Sequence, residues 1–469
     1  MKLPNYEEER KRSDKEVEYV YLEDEKYSNF LEGKKYYLKT YGCQMNVHDS
    51  EELAAHLENM GAIRTDDLEN SDIAILNTCA VRENAHDKVF GYLGRCKHKK
   101  ELDKNFMICI CGCMAQEESV VEEIKSKHPY VDIVFGTHNI HELPNLIIEH
   151  KNKQDIEVYS KEGDVFENVP YKRDSKISAW VNIMYGCDKF CTYCIVPYTR
   201  GKQRSRKSKD IMHEVEDLIN KGYREITLLG QNVNAYGKDM DCEVSFAKLL
   251  EMVAKSGIER LRFVTSHPWD FTDEMIDIIA KYPNIMPYIH LPLQSGSSRI
   301  LKLMGRKYTK EEYLELFNKI KEKIPNCAIT TDIIVGFPNE SDEDFKETLD
   351  VVNYCKYDSA FTFIYSPRVG TPAAKMKDSI SMDVKEKRLQ ELNTLVNKFS
   401  NEKNQTYLNK TVKVLVTEKS QKGEGKVCGY TEDMKLVNVE ASQETIGKII
   451  DVLITDAKSF SLDGKIAEK

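Results

Sequence analysis

Six strand-like runs alternate with helix-length segments between about residues 179 and 367, and this alternation limits what the chain can fold into. The runs are AWVNIMYG, EITLLGQN, RLRFVTS, MPYIHLPLQS, AITTDIIVGFP and AFTFIYSP. Short β-branched runs separated by helices predict a parallel sheet, because parallel strands need crossover connections. Six such units predict a partial or complete (β/α)6 barrel, whose chemistry lies on the loops after the carboxyl ends of the strands.

A second alternation of the same kind precedes the barrel. Its strand-like runs are KKYYLKTYGC, DIAILNTCA, FMICICGCMAQ and VDIVFGT, and the segments between them are helical in pattern. This pattern predicts an α/β domain with a parallel sheet, in which ligands gather at the carboxyl ends of the strands.

The end of the chain changes in character and predicts a small β-barrel. TVKVLVTEK, KVCGYT, KLVNVEA and IGKIIDVLITDA read as short strands without intervening helices. We therefore predict an α/β protein with a charged extension over residues 1–34, an amino-terminal parallel-sheet domain over 35–152, a barrel over 173–403 and the terminal β-barrel over 406–469.

Composition narrows the class of protein. No apolar run approaches the roughly 18 residues of a membrane span, and the charged amino terminus has no apolar signal region. We therefore expect a cytoplasmic protein with no membrane partner. The net charge of -9 excludes a broadly basic nucleic-acid-binding chain, so any contact with nucleic acid must be local.

Three of the 13 cysteines stand within eight positions, in the stretch YGCDKFCTYCIVPYTRG. In a reducing compartment, clustered thiols indicate metal binding or catalysis more often than disulfides. Zinc sites usually close with four ligands, whereas Cys187, Cys191 and Cys194 would leave one iron of a four-iron cluster open to substrate. The alternatives are a zinc site with a distant fourth ligand and three thiols that are close by chance.

This stretch resembles the signature of the radical S-adenosylmethionine enzymes, CxxxCxxC with an aromatic residue before the last cysteine. Tyr193 fills that aromatic position. The resemblance implies that Cys187, Cys191 and Cys194 hold a four-iron four-sulfur cluster, and that S-adenosylmethionine binds its open iron and yields a 5′-deoxyadenosyl radical.

Other strand ends of the barrel offer polar groups on the same side. Ordinary turn chemistry explains each of them alone, but together they favour a cradle for the cofactor. The predicted cofactor-binding residues, besides Tyr193, are Gln231, Asn232, Gln294, Ser295 and Gly336.

A second set of cysteines follows three strands of the amino-terminal domain. Cys43, Cys79 and Cys113 each stand between a predicted strand and a helix, so parallel strands bring them to one edge of one sheet. Buried packing would explain any one of them, but their convergence favours metal ligation. The other cysteines lack such spacing and are predicted to lie in the core: Cys96, Cys109, Cys111, Cys242, Cys327, Cys355 and Cys428.

The order of these parts resembles the methylthiotransferases, over about residues 35 to 469. In that family a three-cysteine domain precedes the radical barrel, and a small RNA-binding TRAM domain closes the chain. KTYGCQMNVHDS, NTCAVRENAHDKVFG and FIYSPRVGTPAA look most like members that methylthiolate isopentenyladenosine in tRNA. The resemblance implies two clusters, a tRNA anticodon stem-loop as partner, and a second cluster on Cys43, Cys79 and Cys113 that carries sulfur.

A basic stretch, TRGKQRSRKSK, directly follows the barrel's cysteine motif. Arg200, Lys202, Arg204 and Arg206 are predicted to meet the RNA backbone there, with a solvated basic face as the alternative. The terminal barrel carries Tyr430 where the family usually has arginine. Tyr430 would stack on a base instead, and a purely structural β-barrel is the alternative.

Several other functions fit parts of the pattern. The nearest are methylthiolation of threonylcarbamoyladenosine in tRNA and of a ribosomal-protein aspartate, and lipoyl-type sulfur insertion is a wider one. An RNA-binding iron-sulfur carrier is the non-enzymatic alternative. The electron donor is expected to be a flavodoxin or ferredoxin, and the protein a monomer.

Overall fold

The computed structural model describes residues 2–5, 8–9, 17–22, 27, 29–80, 83–151, 153–160, 163–241 and 243–467. The chain forms two compact units. The first contains residues 1–174, 184–190 and 194–206, and the second contains 175–183, 191–193 and 207–469. Among the described residues, no helix is long and apolar enough to cross a membrane.

The first unit is built on a six-stranded sheet in which every pairing is parallel, as the sequence predicts. The spatial order is β3-β2-β4-β5-β6-β7, so the chain moves outward from β2 in both directions. A separate parallel pair joins β1 to β8. The strands are β1 (Tyr19–Tyr21), β2 (Lys35–Thr40), β3 (Ile63–Arg64), β4 (Ile73–Thr78), β5 (Met107–Gly112), β6 (Ile133–Phe135), β7 (Asp155–Glu157) and β8 (Val165–Glu167).

Apolar residues cover both faces of this sheet. Alternate residues of β5 divide between the two faces: Ile108 and Ile110 join one hydrophobic cluster, whereas Cys109 and Cys111 join the other. Burial on both faces explains why the strand reads as a nearly continuous apolar run. The helices of this unit are α1 (Gln44–Asn59), α2 (Glu83–Leu102), α3 (Glu118–Lys127), α4 (Leu143–Glu149) and α5 (Val196–Thr199).

The second unit contains the six predicted barrel strands. They form two three-stranded parallel sheets, β13-β12-β9 and β14-β15-β16. A parallel bridge between Leu261 and Ile285 links β13 to the segment before β14, which keeps the strands in chain order. The strands are β9 (Ser178–Asn182), β12 (Glu225–Leu229), β13 (Arg260–Phe263), β14 (Tyr288–His290), β15 (Ala328–Val335) and β16 (Ser359–Ile364).

Helices connect these strands, and their starts carry clear sequence signals. Thr309 and Glu312 form a capping box at the start of α10, which satisfies two backbone amides that the helix cannot pair itself. Ser341 and Asp344 do the same for α11. The helices are α6 (Ser208–Asn220), α7 (Phe246–Lys255), α8 (Asp273–Lys281), α9 (Ser298–Leu303), α10 (Lys310–Lys323), α11 (Asp342–Cys355) and α12 (Met382–Gln405).

The end of the second unit is a closed five-stranded barrel, ordered β17-β18-β19-β21-β20. Four strands match the predicted runs, but the sequence did not indicate β21, because its short run LDGKI contains a glycine and two charges and only two large apolar residues. The strands are β17 (Thr411–Lys419), β18 (Lys426–Thr431), β19 (Leu436–Glu440), β20 (Ile449–Ala457) and β21 (Leu462–Ile466).

The predicted core cysteines are buried wherever the structure describes them. Cys96, Cys109 and Cys111 lie in the first unit. Cys242 lies outside the described residues. The buried cysteines of the second unit are Cys327, Cys355 and Cys428.

The helix α12 joins the barrel of the second unit to the terminal β-barrel. Near its end, the Asn404 side chain donates to the carbonyl of Lys458 at 2.7 Å. The neighbouring Gln405 side chain donates to the carbonyl of Ala457, also at 2.7 Å. Side chains of the helix therefore hold the terminal barrel through the barrel's backbone carbonyls.

Two arginines of β13 fix the same barrel from another side. Arg260 donates to the carbonyl of Tyr430 at 2.8 Å. Arg262 donates to the carbonyls of Thr431 and Glu432, both at 2.8 Å, while its Nε donates to Glu225 at 2.7 Å. A buried guanidinium needs such partners, because it cannot lose its charge to escape the cost of burial.

We expect Arg262→Gln to lower the free energy of unfolding by about 3 kcal/mol or more, because the change leaves the buried Glu225 without its cation. The midpoint of urea unfolding, followed by circular dichroism, measures this loss. Arg224→Gln is the matched control, since Arg224 and Glu259 form a pair with 45% and 43% exposed side chains. That exposed pair should contribute less than about 1 kcal/mol. Equal effects of the two variants would contradict the prediction.

Candidate cysteine cluster sites

Three strands of the first unit deliver Cys43, Cys79 and Cys113 to one edge of the sheet. Cys43 caps α1 after β2, Cys79 follows β4, and Cys113 opens a short 3-10 helix after β5. These strands are neighbours in the sheet. Gly42 shows how closely the segments approach: a Cβ there would lie 2.6 Å from the Cβ of Cys79 and 2.9 Å from its sulfur. The structure therefore brings the three predicted positions together.

A buried network of amides holds this edge in place. The Asn46 side chain donates to the carbonyl of Thr78 at 2.7 Å, and Asn77 donates to the carbonyl of Asn46 at 2.8 Å. The thiol of Cys43 donates to Asn46 Oδ1 at 3.6 Å. The start of α1 is thus tied to the end of β4, which fixes two of the three cysteine-bearing segments.

A buried arginine contacts the third cysteine. Arg200 Nε donates to the sulfur of Cys113 at 3.3 Å, and its two Nη atoms donate to Asp49 at 2.5 and 3.4 Å. The arginine follows α5, whose Thr199 carbonyl accepts a 2.5 Å hydrogen bond from Thr137. Apolar packing adds to these contacts, since Tyr198 lies in the same buried cluster as Cys113.

Electrostatics at this site depend on that arginine. Burial raises the pKa of the Cys113 thiol to about 12, and the Arg200 guanidinium opposes the rise. Burial also acts to lower the pKa of Arg200, but Asp49 and the thiols outweigh burial and hold this pKa well above its usual range. A thiol must lose its proton before it binds a metal, so a permanent cation in contact with its sulfur favours the ligating form.

The donor set fits an iron-sulfur cluster in chemical type: three cysteines, partly or fully buried, with one cation for charge compensation. In the part of the chain that the structure describes, no group of three or more His, Cys, Asp or Glu side chains is arranged to hold a metal ion. Ligation by Cys43, Cys79 and Cys113 therefore stays a prediction.

The loop with the second cysteine motif begins at a small hairpin. β10 (Met184–Tyr185) pairs in antiparallel fashion with β11 (Arg204–Ser205). The amide of Cys187 donates to the carbonyl of Gly201 at 3.1 Å, and the amide of Lys189 donates to the sulfur of Cys187 at 3.4 Å. Cys187 and Cys194 belong to the first unit and Cys191 to the second. Their ligation of a cluster also stays a prediction.

A second buried arginine contacts Cys191 within the second unit. Arg306 Nη1 donates to the sulfur of Cys191 at 3.4 Å, Nη2 donates to the carbonyl of Pro292 at 3.2 Å, and Nε donates to the Tyr308 hydroxyl at 3.0 Å. Each set of three cysteines thus includes one sulfur that accepts a hydrogen bond from a buried guanidinium. No local pattern marks Arg306, because more than 100 residues separate it from Cys191.

Two of the predicted cofactor-binding residues follow β12. Asn232 is buried and donates to Asp270 at 2.7 Å, but its Oδ1 has no hydrogen-bond partner among the described residues. The hydroxyl of Ser266, after β13, is buried and similarly lacks a partner in the described chain. Buried polar atoms normally have partners, so these atoms fit a site for a polar ligand. Gln231, next to Asn232, is half-buried.

Two more of these residues follow β14. Gln294 has a φ of 68°, a left-handed conformation that is uncommon for residues other than glycine. Its amide donates to the carbonyl of Asp332 at 2.8 Å. Ser295 is buried and its hydroxyl lies 3.5 Å from the hydroxyl of Thr348, so α11 holds this serine. Tyr193 packs against an apolar cluster that includes Phe337.

Gly336, after β15, is crowded rather than open. Its φ is 67°, and a Cβ there would lie 2.5 Å from Lys385 Cγ. Its amide donates to Glu340 at 2.8 Å. Burial raises the pKa of Glu340, and the neighbouring Arg388 partly offsets that rise. The described structure therefore gives Gly336 a backbone role at the strand end.

The basic stretch after the cysteine motif is not the exposed surface that the sequence predicts. Arg200, Arg204 and Arg206 are only 5%, 4% and 6% exposed. Arg206 binds both oxygens of Glu167, at 2.9 and 2.7 Å. Lys202 is half-buried. A buried guanidinium does not present its charge to a phosphate backbone, so the described structure gives no support to RNA contacts by the three arginines, and those contacts stay a prediction.

Family models match three parts of the chain. The radical SAM superfamily matches residues 181–352, the family described as uncharacterized protein family UPF0004 matches residues 35–136, and the TRAM domain matches residues 405–467. These ranges contain the end of β9 and the barrel strands β12 to β15, the strands β2 to β6 with Cys43, Cys79 and Cys113, and the terminal barrel.

Similar proteins extend over nearly the whole chain. It is 54% identical over 467 residues to tRNA-2-methylthio-N(6)-dimethylallyladenosine synthase of Bacillus pumilus (strain SAFR-032), which covers 99% of this chain and 92% of that protein. It is 53% identical over 468 residues to the protein of the same name from Bacillus subtilis (strain 168), with the same coverage of both. The chain belongs to the radical S-adenosylmethionine methylthiotransferases.

A solved structure agrees with this fold. The radical S-adenosylmethionine methyltransferase TsrM from Kitasatospora setae, solved with cobalamin and a [4Fe-4S] cluster, aligns with a TM-score of 0.53 and 14% identity. The alignment covers 73% of this chain and 77% of that chain. At this identity the likeness shows the fold alone. Membership in the radical SAM superfamily implies one four-iron four-sulfur cluster and S-adenosylmethionine for this methylthiotransferase.

We expect Arg200→Gln to weaken cluster binding at Cys43, Cys79 and Cys113 by roughly tenfold or more, as loss of outer partners does at other metal sites. The test uses a background in which Cys187, Cys191 and Cys194 are alanine, so that only one cluster can form. Iron per chain and the electron paramagnetic resonance spectrum after anaerobic reconstitution measure the effect.

Arg206→Gln is the control for this experiment, because Arg206 is equally buried and ion-paired but has Glu167 as its partner. Arg200→Lys, which keeps the charge, should recover part of the iron. Full iron content and an unchanged spectrum in Arg200→Gln would contradict the assigned role.

Proposed function

We propose that this enzyme converts N6-isopentenyladenosine in tRNA, next to the anticodon on its 3′ side, into its 2-methylthio derivative. The observation that carries the proposal is the 54% identity, over 99% of the chain, to a relative named for this reaction. The TRAM match at residues 405–467 supports an RNA substrate. The anticodon stem-loop is the part of the tRNA that we expect the enzyme to bind.

The chemistry explains why a radical enzyme suits this substrate. The C2 carbon of adenine carries a strong, unactivated C–H bond, so general acid-base catalysis by a side chain cannot remove its hydrogen. A cluster held by Cys187, Cys191 and Cys194, together with S-adenosylmethionine, would supply a 5′-deoxyadenosyl radical for that step. A second cluster on Cys43, Cys79 and Cys113 would supply sulfur, and a second S-adenosylmethionine the methyl group.

The protein's own residues position these groups. Arg200 and Arg306 each hold a cysteine sulfur through a hydrogen bond and place a permanent positive charge beside it. Asn232 and Ser266 offer buried polar atoms at the strand ends, where the proposed cofactor site lies. Because these side chains are held before substrate binds, the enzyme has little reorganisation to pay for during the reaction.

Other parts of the proposal come from the family resemblance and the sequence. The electron donor would be a flavodoxin or ferredoxin, the protein a monomer, and the location the cytoplasm. The domain boundaries of 35–152, 173–403 and 406–469 are also proposed. The rival substrates are threonylcarbamoyladenosine in tRNA and a ribosomal-protein aspartate, and the non-enzymatic rival is an RNA-binding iron-sulfur carrier.

Nucleoside mass spectrometry tests the function directly. The reconstituted enzyme, S-adenosylmethionine and a low-potential reductant are incubated without oxygen with tRNA that carries either isopentenyladenosine or threonylcarbamoyladenosine. We expect a 2-methylthio product from the first tRNA only, together with 5′-deoxyadenosine. Product from the second tRNA alone, or no product from fully loaded enzyme, would contradict the proposal.

Cysteine variants separate the two predicted clusters in the same assay. Cys187→Ala should abolish both 5′-deoxyadenosine and the methylthio product, because the radical cannot form. Cys43→Ala should abolish the methylthio product but still allow cleavage of S-adenosylmethionine. Cys428→Ala, in the terminal barrel, should keep both activities. Methylthio product from Cys43→Ala would refute the role assigned to the second cysteine set.

A further inference from the structure

An exposed indole stands at the carboxyl end of β13. Trp269 lies on the short 3-10 helix Pro268–Asp270 and is 39% exposed, although its neighbours His267 and Asp270 are only 6% and 4% exposed. A single exposed apolar residue needs no explanation by itself. The surroundings of Trp269 are what point to a ligand.

The turn that carries the indole is firmly held. The amide of His267 donates to Asn234 Oδ1 at 2.9 Å, and the amide of Trp269 donates to His267 Nδ1 at 3.3 Å. Asp270 accepts hydrogen bonds from Asn232 at 2.7 Å and from Lys238 at 2.8 Å. These bonds immobilise the backbone on both sides of Trp269, so the ring is presented to solvent at low entropic cost on binding.

One lysine lies over the ring, and a second, from a different strand-end loop, pairs with the acidic residue of the turn. Lys307, which follows β14 and α9, places its Nζ 4.5 Å from the centre of the Trp269 ring, a cation–π contact. Lys238 follows β12 and reaches Asp270 with its side chain 56% exposed. The acidic side chain of the turn is thereby paired, and the exposed surface offers an aromatic ring with the Lys307 cation beside it.

We propose that Trp269 stacks on an unpaired nucleotide of the RNA substrate, with Lys307 facing the adjoining phosphate. This inference rests on the proposed function and adds a recognition site to it. Aromatic rings beside cations are the usual platform for single-stranded nucleic acid, because every base has a face that can stack. An acidic protein partner would pair with the lysine but would not require the aromatic ring.

The position of the ring agrees with the chemistry. Trp269 lies at the same strand ends as Asn232 and Gln294, where the proposed cofactor site lies. An enzyme that modifies a base must first take it out of its stack, which leaves the neighbouring nucleotides without a stacking partner. An indole beside the reaction site replaces that partner. With Arg200, Arg204 and Arg206 buried, this is the surface that we assign to RNA in their place.

Fluorescence reports on this contact directly, because the chain has only two tryptophans. The Trp180→Phe variant leaves Trp269 as the single reporter. We expect its emission to be quenched, with saturation, by an anticodon stem-loop RNA. Trp269→Ala in the otherwise unchanged chain should weaken binding of the same RNA roughly tenfold, the lower part of the range for loss of one stacked base. Trp269→Phe should recover part of this affinity.

The salt dependence of RNA binding tests the role of Lys307. Lys307→Ala should reduce the slope of log K against log salt by about 0.7, the value for one phosphate contact on a single strand. Tyr354→Ala is the matched control for Trp269→Ala, because Tyr354 is an aromatic residue on α11 that is 58% exposed and lies away from the strand ends. This control should leave both affinity and slope unchanged.

The outcomes distinguish the inference from the proposed function. Circular dichroism first confirms that each variant is folded. Unchanged RNA affinity in a folded Trp269→Ala variant, with methylthio product still formed by the unchanged enzyme, overturns the stacking role and leaves the function standing. No binding of the stem-loop by the unchanged enzyme, and no product, overturns both. Quenching together with weaker binding by Trp269→Ala supports the inference.

Discussion

The contact between a buried guanidinium and a cysteine sulfur is the interaction on which the candidate sites depend. Arg200 reaches Cys113 at 3.3 Å and Arg306 reaches Cys191 at 3.4 Å, both from the protein interior. A guanidinium keeps its charge at any ordinary pH, so its burial is favourable only where anionic or polar partners surround it. Asp49 and Asn46 on α1 supply those partners for Arg200. A loop, a helix and a strand end therefore hold one another in position through one side chain.

Sequence reasoning found the parts of the structure that have a period or a fixed spacing. The six barrel strands and the sheet of the first unit follow from alternating runs, and the shared edge of Cys43, Cys79 and Cys113 follows from parallel topology. It did not find the burial of Arg200, Arg204 and Arg206, because a run of charges looks the same whether it is solvated or buried. Arg206 finds Glu167 from 39 residues away, and no local pattern marks such a partner.

The terminal barrel shows the same limit in another form. Its fold could be predicted, but its attachment could not, because Arg260 and Arg262 reach backbone carbonyls and not side chains. Every residue has a backbone carbonyl, so a sequence does not indicate which carbonyls accept these hydrogen bonds. The carbonyl of Tyr430 is one of them, so this position has a structural tie whatever its ring does.

The length of the helix α12 determines where the terminal barrel lies relative to the start of that helix. Its 24 residues span roughly 36 Å at 1.5 Å per residue, and its last turn holds the terminal barrel by backbone carbonyls. One inserted residue would turn everything beyond it by about 100° and advance it by about 1.5 Å. The length of this helix therefore sets both the reach and the facing direction of the TRAM domain. An insertion or deletion in this helix would keep the domain facing the same way only when it comes close to a whole number of helical turns.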